Sequence, residues 1–224
     1  SKFNASIVAG SAHYPCNATT NSEAAFNASK KWWAGEDNTG GLGPDYHDLD
    51  RTGNWTGASC WGRKLSQHFI KMRATSTVAW SLIWAAAPGV SSDGSLATSR
   101  HGHGFLGNGF LNATEPWSGH YDVPPVLWIN AHWHHFAQPG WRFLENATAE
   151  VTGGSGWLPG GGSYVTLVPP KGSEAHPADT FTLIVETLTG TCGKTCNTEP
   201  ITETQALSFE LTGPLASASR VALW

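Results

Sequence analysis

The sequence predicts a parallel α/β region followed by an antiparallel β region, and two patterns carry that prediction. Over the first ninety residues, strand-like apolar runs alternate with helical spacing, the order of a parallel sheet with crossover helices. From Gly140 onward the pattern changes to short β-rich runs separated by Gly-, Pro- and Thr-rich turns, which reads as an antiparallel β-sandwich.

In chain order, Phe3 to Gly10 reads as the first strand, centred on Ile7 and Val8, and leads into Ser11-Ala12-His13-Tyr14-Pro15. A turn-rich loop from Asn17 to Asn21 precedes a short helix over Ser22 to Lys30. Lys31 to Ala34 is the next strand, ending at Glu36 before the glycine-rich turn at Asn38-Thr39-Gly40-Gly41. The Gly40 to Asn54 loop carries Asp45, Asp48 and Asp50, whose spacing matches no calcium loop and reads as solvated charge. Leu65, Phe69 and Met72 fall on one face of a helix running from Ala58 to about Arg73. Thr75 to Ala86 is unbroken and β-rich, as expected of a strand buried on both faces. Pro88 to Gly109 is a Gly/Ser-rich loop in which His101 and His103 lack an evident third metal ligand.

In the second half, Glu115 to Tyr121 is dense in groups that can touch a sugar, Trp117 and His120 among them. His132, His134 and His135 surround Trp133; alternation over Trp128 to His132 suggests a strand, and no metal is assigned. The strand-like runs that follow are Trp141–Leu144, Ser163–Val168, Phe181–Glu186, Ala206–Leu211 and Arg220–Trp224.

Composition narrows the function. The 13 basic and 17 acidic residues leave no basic face, so nucleic acid is not an expected partner. Twelve tryptophans and 26 glycines suit a loop-rich carbohydrate protein in which flat rings stack on sugars, although most of the tryptophans are expected in packing. No run is long and apolar enough to span a bilayer, and no signal peptide is visible at Ser1. Six Asn-x-Ser/Thr sequons, at Asn4, Asn17, Asn27, Asn54, Asn112 and Asn146, together with four cysteines, point to a glycosylated protein that is secreted, lysosomal or at the cell surface.

The stretch from Lys30 to Gly41 holds the chemistry. In a barrel of parallel strands, reactive groups sit where strands end and loops begin. An acidic residue at such an edge, beside Trp32 and Trp33, suggests sugar chemistry, with Glu36 as a nucleophile attacking an anomeric carbon. His13 and Tyr14, at another strand end, can hold a nearby carboxylate by hydrogen bonds.

Several segments taken in order resemble the galactocerebrosidase (galactosylceramidase) family of retaining glycosidases. They are Ala12-His13-Tyr14-Pro15, Lys31-Trp32 with Glu36-Asp37, Gly57-Ala58-Ser59-Cys60-Trp61-Gly62-Arg63 and Ala74-Thr75-Ser76-Thr77-Val78-Ala79-Trp80. Then come Glu115-Pro116-Trp117-Ser118-Gly119-His120-Tyr121, Gln138-Pro139-Gly140-Trp141, Gly161-Gly162-Ser163-Tyr164-Val165 and Ile184-Val185-Glu186-Thr187. Cys-Trp-Gly-Arg and Glu-Pro-Trp-Ser-Gly-His-Tyr are the specific ones.

The resemblance implies that residues 1–107 are the last strands and helices of a (β/α)8 TIM barrel and residues 108–224 most of a β-sandwich. It implies Glu36 as the nucleophile, with His13, Tyr14, Thr39, Trp80, Trp117 and His120 about the sugar. It also implies a disulfide from Cys60 to Cys196, with Cys192 as the other candidate and the partner of Cys16 open. No metal or organic cofactor is implied. The implied partners are a glycoside substrate, the remaining barrel segment or chain, and a saposin-like lipid-presenting protein. The family's acid/base glutamate stands in a Trp-Asn-Glu context, and no Asn-Glu pair occurs in this chain, so that group is expected from elsewhere. Asn197-Thr198-Glu199 follows Cys196 where the family has an arginine, which leaves the sugar open. The alternative to a hydrolase is a non-catalytic glycan-binding or structural glycoprotein on a degenerate glycosidase fold.

Overall fold

The computed structural model describes residues 6–13, 19–37, 56–80, 82–85, 110–123, 125–145, 154–176, 180–190, 199–204, 206–210 and 216. They fall into two compact units, one of residues 1–130 with 190–200, the other of residues 131–189 with 201–224.

The first unit is built on a parallel sheet of strands β1 (Ala9–His13), β2 (Lys31–Asp37) and β3 (Ser76–Ala79), in that spatial order. Helix α1 (Thr19–Asn27) connects β1 to β2, and α2 (Thr56–Ile70) connects β2 to β3. The predicted alternation is therefore present, with shifted boundaries. Among the described residues the first strand begins at Ala9, where its pairing with β2 starts at Ala9↔Lys31, so residues 6–8 of the predicted Phe3–Gly10 run are not strand; residues 1–5 lie outside the described set. Strand β2 runs on through Glu36 and Asp37.

Ala34, Met72 and Ala74 form a buried cluster with Trp32 packed against it, on the side of β2 that meets the end of α2. Gly10 lies against that tryptophan, and a β-carbon there would overlap the indole ring. Helix α2 is buried at every residue from 59 to 68, Lys64 and His68 included, so it is enclosed on all sides rather than along one apolar stripe. Trp61, fully buried, donates its indole N–H to Asn130 Oδ1 at 3.1 Å and meets Phe110 edge-on at 5.7 Å.

The segment Thr75–Ala86 is not one strand. It divides after β3, where the Trp80 N–H donates to the Asp37 carbonyl at 2.8 Å, and resumes as β4 (Ile83–Ala85) in a different sheet. Nor is it buried on both faces: Val78 is 46% exposed and Leu82 is 63% exposed. Strand β4 pairs in parallel with β5 (Leu111–Glu115), which pairs antiparallel with β6 (His120–Asp122) across a turn of 3-10 helix at Pro116–Ser118.

The predicted strand over Trp128–His132 is instead part of helix α3 (Pro125–Phe136). Proline suits the first helical position. Val126 and Trp133, seven residues apart, are both buried while Trp128 is exposed, a helical period that outweighs the local alternation. No helix among the described residues is long and apolar enough to cross a membrane.

The second unit holds an antiparallel sheet centred on β9 (Ser163–Val168). Strand β10 (Thr182–Glu186) takes one edge; β7 (Arg142–Phe143) and β8 (Gly156–Trp157) share the other. Val165 and Leu167 of β9 are buried, and Leu144 packs with Val168 and Phe181. Thr166 binds its neighbours twice: its N–H donates to Ser155 Oγ at 2.8 Å and its hydroxyl to the Gly154 carbonyl. Glu186 closes the far end, accepting from Ser163 Oγ at 2.6 Å and from the Leu188 N–H at 2.8 Å, at the start of β11 (Leu188–Thr189). Gly162, at φ +91°, sits against the Glu186 carbonyl where a β-carbon would overlap it. The predicted strand at Ala206–Leu211 is absent over 206–210, which are exposed and without regular structure, although Phe209 meets Tyr164 edge-on at 5.5 Å. Arg220–Trp224 lies outside the described residues.

Candidate active site

The site is made by an irregularity in β2. Ala12 pairs with Ala34, but the next residue of β1, His13, pairs with Glu36. On the other side, Ala34 pairs with Thr77 and Asp37 with Ala79. Against both neighbours β2 therefore carries one extra residue, a bulge at Gly35-Glu36. In a regular strand, residues 34 and 37 would face opposite sides of the sheet. Here both side chains are fully buried, on the helix-covered face. The bulge thus turns Glu36 to the other face, which also holds the half-exposed Trp33. Bulges commonly re-aim a side chain in this way beside active sites. Gly35 suits the bulge because a β-carbon there would collide with Ser11 Oγ on β1.

On that open face His13 Nε2 lies 2.8 Å from Glu36 Oε1, the side chains being 56% and 40% exposed. A pair this exposed contributes little to stability. Its effect is geometric: the imidazole holds the carboxylate at the carboxyl-terminal edge of the sheet.

Behind Glu36, on the covered face, is a second cluster that the sequence did not suggest. Lys64 Nζ donates to Asp37 Oδ1 at 2.7 Å, and His68 Nε2 to Asp37 Oδ2 at 3.0 Å. His68 Nδ1 lies 2.9 Å from Thr77 Oγ1 on β3. The carboxylate can only accept, so Nε2 carries the proton, and Nδ1 is free to accept from the threonine hydroxyl. Lys64 and His68 stand one turn apart on α2, on the same face. The three side chains of Asp37, Lys64 and His68 are at most 2% exposed.

Burial pushes the Asp37 carboxyl upward, and this is the largest single influence. The His68 hydrogen bond, the Lys64 charge and the remaining contacts of these two residues together outweigh it, so the group titrates below its ordinary value of 3.8. A carboxyl whose folded value is depressed stabilises the fold fully above its unfolded value and loses that contribution as pH falls through the folded one. Replacing Asp37 by Asn should therefore cost stability at pH 5 to 7, and the difference from wild type should shrink below about pH 4. Urea unfolding across that range measures it.

The remaining candidates divide. Trp80 follows β3 on the same sheet as Glu36 and is 43% exposed. Trp117, 79% exposed, lies in the 3-10 turn between β5 and β6, and His120 is in β6, in a different sheet from Glu36. Tyr14 and Thr39 lie outside the described residues. Cys60, buried in α2, is disulfide-bonded; Cys16, Cys192 and Cys196 are outside the described set. Of the sequons, Asn27 is exposed at the end of α1, and Asn112 sits in β5, the middle strand of its sheet. Asn4, Asn17, Asn54 and Asn146 are outside the described set, as are His101 and His103. Among the described residues no group of three or more His, Cys, Asp or Glu is placed to hold a metal ion.

A parallel strand–helix–strand–helix–strand unit with a carboxylate at its strand ends serves many chemistries, and comparison with known proteins narrows them. Residues 1–135 match the model of glycosyl hydrolase family 59. The chain belongs to that family. It is 32% identical to galactocerebrosidase of Danio rerio over 95% of this chain and 26% of that protein. To galactocerebrosidase of Homo sapiens it is 34% identical over 79% of this chain and 20% of that one. The chain thus spans about a fifth to a quarter of the length of the curated relatives it matches. A solved structure, the catalytic domain of GH30 xylanase C from Talaromyces cellulolyticus, aligns at 14% identity and TM-score 0.33 over 62% of this chain and 28% of that one, a likeness too slight to bear on fold or chemistry.

Proposed function

We propose that the chain is the nucleophile-bearing part of a retaining glycosidase acting on a terminal β-linked sugar. The substrate class is a β-galactoside, with a galactosylceramide-like glycolipid the form we favour because the relatives carry the name galactocerebrosidase. The observation that carries this is the β2 bulge, which sets Glu36 beside His13 on the open sheet face.

Glu36 attacks the anomeric carbon, and the leaving oxygen departs with a proton from a second carboxyl group about 5 Å away. That acid belongs to barrel strands outside this chain, which also cover the sheet face where Trp33 and Trp80 stand. Water then attacks the glycosyl-enzyme with the same group acting as base, and the sugar leaves with its configuration retained. No metal or organic cofactor enters these steps. Residues 1–107 close the barrel and 108–224 supply the sandwich to which the β9–β10 sheet belongs. The six sequons support a secretory route, to the lysosome or the cell exterior. A saposin-like protein would present a lipid-linked substrate.

Proton NMR of the full-length protein hydrolysing an aryl β-galactoside tests the reading. The first sugar formed should be the β anomer, with the α anomer appearing only by later mutarotation. An α anomer formed first contradicts the retaining mechanism, and sugar binding with no turnover favours a glycan-binding protein.

A further inference from the structure

We infer that Asp37, clamped by Lys64 and His68, is the positioning element that aims Glu36, an assignment that rests on Glu36 being the nucleophile. The two carboxylates are adjacent in sequence and face opposite sides of the sheet by ordinary strand alternation, and the bulge between Ala34 and Asp37 decides which side each takes. A bulge leaves one residue outside the regular ladder, so its geometry must be fixed by something other than strand pairing. Asp37 is fixed at both carboxylate oxygens from α2, and through His68 it is linked to Thr77 of β3. Its own carbonyl accepts from the Trp80 N–H. The residue next to the nucleophile is thus tied to the helix behind the sheet and to the neighbouring strand. It also sets the backbone of Trp80, the tryptophan proposed to pack near the sugar.

Fastening a helix to a sheet does not require this arrangement. Well-packed apolar side chains of similar volume usually do so as well as a buried ion pair or better. What an apolar replacement lacks is direction: paired hydrogen bonds to both oxygens of Asp37 fix the rotation of the backbone from which Glu36 projects. A displacement of about 1 Å at a reacting group can cost on the order of 100-fold in rate.

The test uses the full-length protein with an aryl β-galactoside and reads kcat, KM and thermal unfolding. The double variant Asp37→Asn/Lys64→Met removes both charges while keeping volume. Positioning predicts kcat lowered ~10- to 100-fold with KM within ~3-fold, in protein that unfolds near the wild-type temperature. His68→Leu should lower kcat ~10-fold, and His68→Gln, whose amide can reach Asp37 in place of Nε2, should recover most of that loss. If the double variant does not fold, the two His68 variants decide. Wild-type kcat in the double variant, or equal kcat in the two His68 variants, overturns the positioning role and leaves the nucleophile untouched. A wild-type protein with no turnover overturns the nucleophile, and this role with it.

Discussion

Glu36→Gln in the full-length protein should abolish hydrolysis of aryl β-glycosides, lowering kcat by at least ~10,000-fold while unfolding at the wild-type temperature. Removing a nucleophile can forfeit nearly all the chemistry that depends on it. The amide has the shape of the carboxylate and can still meet His13, but it does not form the glycosyl ester. Because Glu36 is 40% exposed and bonded to a histidine more exposed still, little folding energy is at stake. Steady-state kinetics with calorimetry separates the two effects. A Glu36→Gly variant given azide should regain turnover, the anion attacking from the vacated position and leaving an inverted glycosyl azide. Residual activity of more than a few per cent in Glu36→Gln would remove Glu36 from the chemistry.

Lys64→Met should destabilise the protein by about 3–5 kcal/mol, because it leaves Asp37 buried with its ammonium partner gone. Adding Asp37→Asn should restore most of that loss, since the penalty comes from an uncompensated charge and not from missing volume. Chemical unfolding of wild type, the single variant and the double variant gives the comparison. A single variant within 1 kcal/mol of wild type would mean that Asp37 finds other compensation in the fold.

The parallel half was legible because its elements have distinct periods: β-rich runs at Lys31–Ala34 and from Thr75 onward, the latter read too far, to Ala86, with helical spacing at Leu65, Phe69 and Met72 between them. The place of Glu36 near a strand end, shortly after Trp32 and Trp33, was legible. The bulge that aims it was not, since an extra residue leaves no mark in composition and shows only in the pairing of β1 and β3 against β2. Asp37, Lys64 and His68 were hidden for a related reason. Lys64 and His68 repeat at helical spacing, but charged residues on a helix ordinarily face solvent. Only the enclosure of α2 on all sides turns them inward. At Trp128–His132 a five-residue alternation imitated a strand, and the longer period from Val126 to Trp133 shows the helix. Strand β3 ends at Ala79, and the Trp80 N–H makes the last rung of its ladder on the Asp37 carbonyl, a tertiary contact that the run of apolar residues concealed.

The proposed attack of Glu36 on the sugar is tested most directly by peptide mapping of the full-length protein after inactivation by a 2-deoxy-2-fluoro-β-galactosyl fluoride. The predicted result is a single fluorosugar ester on Glu36, within the peptide that begins at Trp32 after tryptic cleavage at Lys31 and absent from Glu36→Gln. An ester on any other carboxylate, or turnover with no trapped sugar, would contradict it.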